Sequence, residues 1–283
     1  MAKAITLTGV GVSSLRLTEI PDAVAGPGEV LIAVEAATIN PVDRGAVDPG
    51  YGEKMPGDPP WILGWDLAGR VTAVGSGVDD VKPGDRVLGF SQWFKGGPGL
   101  HRSLVALPRD NVAVVDEAIP SPELTTFGLN ALTALQVLDA AGLDEGQSVL
   151  VIGASGAVGG FVAQIADSRG VTVLTAGRDT PPADFAGMEL DGLVNTAPAD
   201  PSHYLVAVRD DGVATSVTTP AEAERGIRSS RVGVKVSRAD LETVARLAED
   251  GVLTTTVAAT FPAERAAEAF AADPSAGRIV LTF

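Results

Sequence analysis

The sequence predicts an α/β protein in two parts, a rolled or barrel-like β unit followed by a doubly wound parallel-sheet unit. Three observations predict it. Over the first hundred residues the chain is made of short β-branched runs punctuated by Gly and Pro. After Pro120 apolar strands alternate with helical stretches, the order that builds a parallel sheet. Between a strand and a helix of that second part lies a glycine-rich turn in VLVIGASGAVGG, residues 149–160.

The elements follow in order. Glu29 to Ala36 alternates, with Val30, Ile32 and Val34 on one face, behind the turn Gly26-Pro27-Gly28. Ala68 to Val74 is a second strand, closed by Gly75-Ser76-Gly77. Arg86 to Phe90 is a third, after Pro83-Gly84-Asp85. Ser121 to Ala141 reads as one helix, with Ser121 as N-cap, Pro122 at the first position and Gly142 as the stop. Ser148 to Ile152 is a strand, Gly156 to Ser168 an apolar helix, and Val171 to Thr175 a second apolar strand. Weaker strand signals cover Asp191 to Asn195, Tyr204 to Val208 and Val213 to Val217. Arg238 to Glu249 is amphipathic, with Leu241, Val244, Ala245 and Ala248 on one face. Val252 to Thr260 is β-like, Ala263 to Ala272 helical, and Arg278 to Phe283 a last strand.

Composition narrows the function. The net charge of −15 repels phosphate polymers, so no nucleic-acid partner is expected. The chain has 0 Cys and 2 His, which excludes disulfides and thiolate metal sites and argues against a histidine-rich one. No apolar run approaches the roughly 20 residues of a membrane span, and the start lacks the pattern of a secretory leader. A cytoplasmic protein that neither crosses nor binds a membrane is expected.

The glycine turn suits a dinucleotide pyrophosphate. Gly153 permits a sharp turn, Gly156 a close backbone approach, and Gly159 tight helix–strand packing. Gly153, Ala154, Ser155, Gly156, Ala157 and Val158 then bring the amides of a helix N-terminus to the phosphates. The spacing is G-x-x-G-x-x-G, and a bare βα turn that binds nothing fits the same letters. Where an acidic residue would take the ribose hydroxyl of NAD, the second strand ends in Gly177-Arg178. Arginine pairs with a 2′-phosphate, which favours NADPH. A solvated loop arginine is the plain alternative.

Several longer segments together resemble a known family. GPGEVLIAVEAATINPVD (26–43), LGWDLAGRVTAVGSGVDDVKPGDRVLGF (63–90), LTALQVL (132–138), VLVIGASGAVGG (149–160) and GRIVLTF (277–283) are similar, in the same order, to the zinc-independent quinone oxidoreductase, or zeta-crystallin-like, group of the medium-chain dehydrogenase/reductase superfamily. The resemblance implies a GroES-like β-barrel catalytic domain, 1–115 plus 251–283, and a somewhat shortened Rossmann domain, 116–250. It implies an active site in the cleft between them and a homodimer acting on a small-molecule substrate. Zinc-using relatives carry Cys near Asn40 and His-Glu near Trp65-Asp66, so no catalytic metal is expected.

The activity implied is hydride transfer from NADPH to a quinone or an α,β-unsaturated carbonyl. Asn40 and Tyr51 are the expected catalytic residues, as donors to the developing oxyanion, with Tyr51 or solvent giving the proton. Thr133 is expected against the nicotinamide. Each has a structural alternative: a turn at Asn40-Pro41, a loop role for Tyr51, and a back-bond within the helix for Thr133. Trp65, Trp93 and Phe94 either line an aromatic pocket or simply pack. His101 and His203 read as packing or surface residues. The chain departs from the family after Arg178, where it is shorter and a Lys and a Tyr that hold the 2′-phosphate in relatives have no counterpart. Gly45 also stands where relatives carry a Tyr. An NADPH-binding structural or regulatory protein, and an enoyl reductase on a carrier-bound intermediate, are the alternative functions.

Overall fold

The computed structural model describes residues 1–48, 50, 55–275 and 277–283. They form two compact units, one of Met1–Leu129, Lys235–Asp250 and Thr255–Phe283, the other of Asn130–Val234 and Gly251–Thr254.

The first unit begins with β1 (Ala2–Leu7), β2 (Leu15–Ile20), β3 (Glu29–Ile39), α1 (Pro41–Ala46), β4 (Trp61–Ile62) and β5 (Asp66–Val74). It continues with β6 (Arg86–Phe90), β7 (Leu104–Pro108), β8 (Val112–Val114) and α2 (Ser121–Leu124). β3 organises this unit. Val30, Ile32, Val34 and Ala36 are buried in alternation, and the strand pairs antiparallel with both β5 and β7. Register shifts at Leu31/Ile32 and Val34/Ala36 mark bulges, which bend a strand and let one segment serve several neighbours. Val30, Ile32, Leu67, Val87, Val105, Leu107 and Val112 close the core beneath it.

The helix expected over 121–141 is broken. α2 stops at Leu124 and α3 (Phe127–Ala141) starts afresh, running from the first unit into the second. The cause is Thr125-Thr126. Thr126 Oγ1 donates to the Glu123 carbonyl, and Thr125 turns its hydroxyl toward buried Thr38 and Asp66. These side-chain bonds compete with the helical ladder.

In the second unit β9 (Ser148–Ile152), α4 (Ala157–Ser168) and β10 (Thr172–Ala176) form a βαβ crossover. β11 (Leu190–Asn195), β12 (Val208–Ser216) and β13 (Arg228–Arg231) complete a parallel sheet in the order β10-β9-β11-β12-β13. The chain therefore winds one way from β9 to β10 and the other way to β11, and ligands of such sheets bind at the strand ends where the winding reverses. β10 and β13 are the sheet edges. 3-10 turns, not full helices, fill the links at Pro182–Phe185 and Ser202–Ala207. The second of these corrects the strand expected at Tyr204 to Val208. Asp200 accepts hydrogen bonds from the Ser202 amide and hydroxyl, and Tyr204 N–H donates to the Pro201 carbonyl, which winds this short apolar run into a turn.

The chain returns to the first unit with α5 (Arg238–Glu249), β14 (Val257–Pro262), α6 (Ala266–Ala271) and β15 (Arg278–Thr282). α5 buries Leu241, Val244, Ala245 and Ala248, as its periodicity predicts, and Ser237 caps it by accepting from Asp240 N–H. Its place is fixed by charge as well: Arg238 and Arg109 both pair with Asp80. β15 joins the second half of β3.

Candidate functional site

Two groups of side chains carry chemistry, one in each unit. In the second unit a cavity of about 480 Å³ opens at the carboxyl ends of β9, β10 and β11, where the winding reverses. Gly153, Ser155, Gly156, Gly177 and Arg178 line it together. Gly153 has φ +85°, a conformation open to glycine, and the Cβ of an alanine at Gly159 would lie 2.3 Å from the Gly153 carbonyl oxygen. Gly156 is the N-cap of α4, and no side chain caps that terminus. The first amides of the helix are thereby left to a ligand. Ala154, Ala157 and Val158 belong to the same turn and first helical residues, but the cavity wall does not include them.

The opposite wall was missed in the sequence. Thr196 Oγ1 donates to the Ile152 carbonyl at 2.8 Å and binds that of Gly153 at 3.3 Å, tying the loop after β11 to the glycine turn. Asn195 holds that loop through its Nδ2 bonds to Ala199 and Ser216. Tyr204 also lines the cavity, and its hydroxyl donates to the Thr180 carbonyl at 2.6 Å. Arg178 is exposed and makes no hydrogen bond or ion pair among the described residues, so Asp179 does not neutralise it. Thr133 is buried in α3 and lies outside this cavity wall.

In the first unit the focus is Asn40, buried at the N-cap of α1. Its Nδ2 donates to Asp66 Oδ2 at 3.0 Å, so in this structure the amide expected to meet a substrate oxygen meets a carboxylate. Its backbone N–H donates to Asp43 Oδ2 at 3.0 Å. Both acids are fully buried, and burial pushes each carboxyl up from 3.8 to about 7. For Asp66 the Asn40 amide opposes the rise and the nearby Asp43 charge adds to it. His101 is also buried; its Nε2 contacts the Thr38 carbonyl at 3.0 Å, and desolvation lowers its pKa. Tyr51 lies outside the described residues.

Trp65 stacks on Phe90 and on Phe94, each at 6.2 Å, and Phe94 packs against Trp93 at 4.2 Å. Among the described residues the buried indole N–H groups of Trp65 and Trp93 have no hydrogen-bond partner. Positions 40, 65 and 66 thus present an amide, an indole and a hydrogen-bonded carboxyl, a set without the soft or imidazole ligands that zinc prefers. Among the described residues no group of three His, Asp or Glu is placed to hold a metal ion, and no helix is long and apolar enough to cross a membrane.

Comparison with known proteins places this architecture. Residues 26–117 match the alcohol dehydrogenase GroES-like domain. The chain is 30% identical over 245 residues to a chloroplastic quinone-oxidoreductase homolog of Spinacia oleracea, covering 79% of this chain and 72% of that one. It is 31% identical over 182 residues to a mitochondrial enoyl-[acyl-carrier-protein] reductase of Arabidopsis thaliana, covering 64% of this chain and 47% of the relative, about half its length. The quinone oxidoreductase of Coxiella burnetii has the same fold, with a TM-score of 0.85 at 22% identity over 100% of this chain and 99% of that one. With the GroES-like first unit, the parallel sheet and the glycine turn at its switch point, the chain belongs to the quinone oxidoreductase group of the medium-chain dehydrogenase/reductase superfamily.

Proposed function

We propose that the chain is an NADPH-dependent, metal-free reductase that passes hydride to a quinone or an α,β-unsaturated carbonyl. The observation that carries this reading is the single cavity where the Gly153–Gly156 turn, the uncapped α4 terminus and unpaired Arg178 meet. That donor set fits a dinucleotide. Backbone amides and the helix terminus receive the pyrophosphate, and the free guanidinium pairs with a 2′-phosphate. Tyr204 and the 195–201 loop after β11 complete the cavity wall. Asp200 shares the cavity and faces the anionic ligand with a like charge, which Arg178 must outweigh.

A bound reduced nicotinamide supplies the hydride, and the chain's own residues orient the acceptor and steady its oxygen. Asn40 is the fixed polar group near which the carbonyl reacts, and Tyr51 or solvent delivers the proton that completes the reduction. The flat rings of Trp65 and Phe94, with buried indole N–H groups beside them that have no partner among the described residues, favour a planar conjugated acceptor. The likeness to an enoyl reductase favours a second reading, reduction of a carrier-bound enoyl group, while the −15 net charge disfavours an acidic carrier. Assays of NADPH oxidation with a quinone series, short enones and an enoyl thioester, with product analysis, test the proposal. Turnover of quinones or enones is expected. NADPH binding without turnover of any acceptor would refute it.

A further inference from the structure

Asp43 and Asp66 are the most costly groups in the first unit. Both are fully buried, and neither forms a salt bridge among the described residues. Arg44, next to Asp43 in the chain, gives its guanidinium to the Ala269 and Phe270 carbonyls instead, and His101, the titratable group that interacts with Asp66, is kept from charging by its own burial. Removing carboxyls from water without a paired cation is unfavourable, so other contacts must hold them there. The compensation is a set of donors that converge on the acids. Thr38 N–H donates to Asp66 Oδ1 and Leu129 N–H to Oδ2, each at 3.1 Å, and Gly64 N–H donates to Asp43 Oδ1 at 3.0 Å.

Packing reinforces this convergence. The Cβ of an alanine at Gly128 would lie 2.4 Å from Asp66 Cβ, so only glycine lets the start of α3 descend onto the acid. Asn40 is the element common to both carboxyls. Its Nδ2 is on Asp66 and its backbone N–H is on Asp43. Rotating the Asn40 amide would strand a buried carboxylate.

We infer that Asp66 is a positioning residue that, with Asp43, clamps the Asn40 amide in the one orientation used during carbonyl reduction. The inference rests on the reductase proposed above. The carboxyl at position 66 does not touch the reacting atoms. It acts through Asn40.

The test uses the whole protein. Asp66→Asn removes one of the two acceptor oxygens, so an amide N–H must face either the Asn40 Nδ2 and Leu129 N–H or the Thr38 N–H, and the donor set can no longer be satisfied in full. It should lower kcat about 10- to 100-fold, as expected for a mispositioned reacting group, while the KM for NADPH changes by less than about twofold. Asp43→Asn should do the same to a smaller extent. The second measurement needs no variant with activity. In 15N-labelled wild type the Asn40 side-chain NH₂ signals, assigned by their loss in Asn40→Ser, should shift as the pH crosses neutrality. That shift should shrink markedly in Asp66→Asn, leaving only the smaller response to Asp43, whose carboxyl accepts from the Asn40 backbone N–H.

Asn40 signals indifferent to both pH and the Asp66 change would overturn the clamp. So would a kcat that survives Asp66→Asn, or one lost in proportion to NADPH binding, which marks a merely structural acid. A wild type inert toward every carbonyl refutes the reductase reading, and the Asn40 signals then decide the clamp alone.

Discussion

Burial of Asp66 sets a pH dependence of stability with a definite sign. The carboxyl titrates at 3.8 without its surroundings and at about 7 in the folded chain, chiefly through desolvation. Between those values the native state binds more protons than the unfolded one, so stability falls as pH rises and levels off above the folded value. A shift of this size corresponds to about 4 kcal/mol. Asp43 acts in the same direction. Buried His101 acts in the opposite direction below its ordinary 6.5, because the unfolded chain gains its proton first.

Urea denaturation at pH 5, 6, 7 and 8, on wild type and Asp66→Asn, separates these contributions, since His101 is common to both. The amide cannot ionise, so Asp66→Asn should flatten the decline and gain about 2–3 kcal/mol relative to wild type from pH 5 to pH 8, the part of the linkage value that falls above pH 5. The residual slope belongs to Asp43 and, below 6.5, to His101 acting in the opposite direction. If wild-type stability stays flat or rises across this range, or if the variant keeps the full slope, Asp66 is not a buried acid of this kind.

Other outcomes follow from the second unit. Gly159→Ala puts a methyl 2.3 Å from the Gly153 carbonyl and should force α4 off the turn, weakening NADPH binding about 10-fold or more with a destabilisation of about 1–3 kcal/mol, read by fluorescence titration and thermal melts. Arg178→Ala should reduce NADPH affinity about 10-fold and leave NADH little changed, so that the ratio of the two kcat/KM values collapses. An unchanged ratio would remove Arg178 from the phosphate site. Tyr204→Phe frees the Thr180 carbonyl and should loosen the 177–180 turn, raising the KM for NADPH more than it lowers kcat.

Local signals were legible where chemistry and periodicity agreed. α5 has an N-cap Ser and an apolar stripe, and β9 is a short apolar run between turn signals; both run over the expected residues. The helix over 121–141 misled because Thr125 spends its hydroxyl on Thr38 and Asp66, partners remote in sequence. Tyr204 to Val208 misled because a short apolar run has no period to tell a strand from a turn. The glycine turn and Arg178 were legible as residue types in a known spacing. Asp66 was read only as a missing metal ligand, since its value lies in donors from β3, α1 and α3 that packing brings together. Tyr204 and Thr196 join the cavity through the sheet order, and nothing beside them in the chain marks them.

The central claim is that the cavity at the ends of β9, β10 and β11 holds NADPH. Titration of the whole protein with NADPH, followed by nicotinamide fluorescence and displaced with 2′,5′-ADP, tests it most directly. The account predicts saturable, one-to-one binding that 2′,5′-ADP reverses and that Gly159→Ala weakens. Absence of binding at millimolar NADPH, or binding that neither 2′,5′-ADP nor Gly159→Ala disturbs, would contradict it.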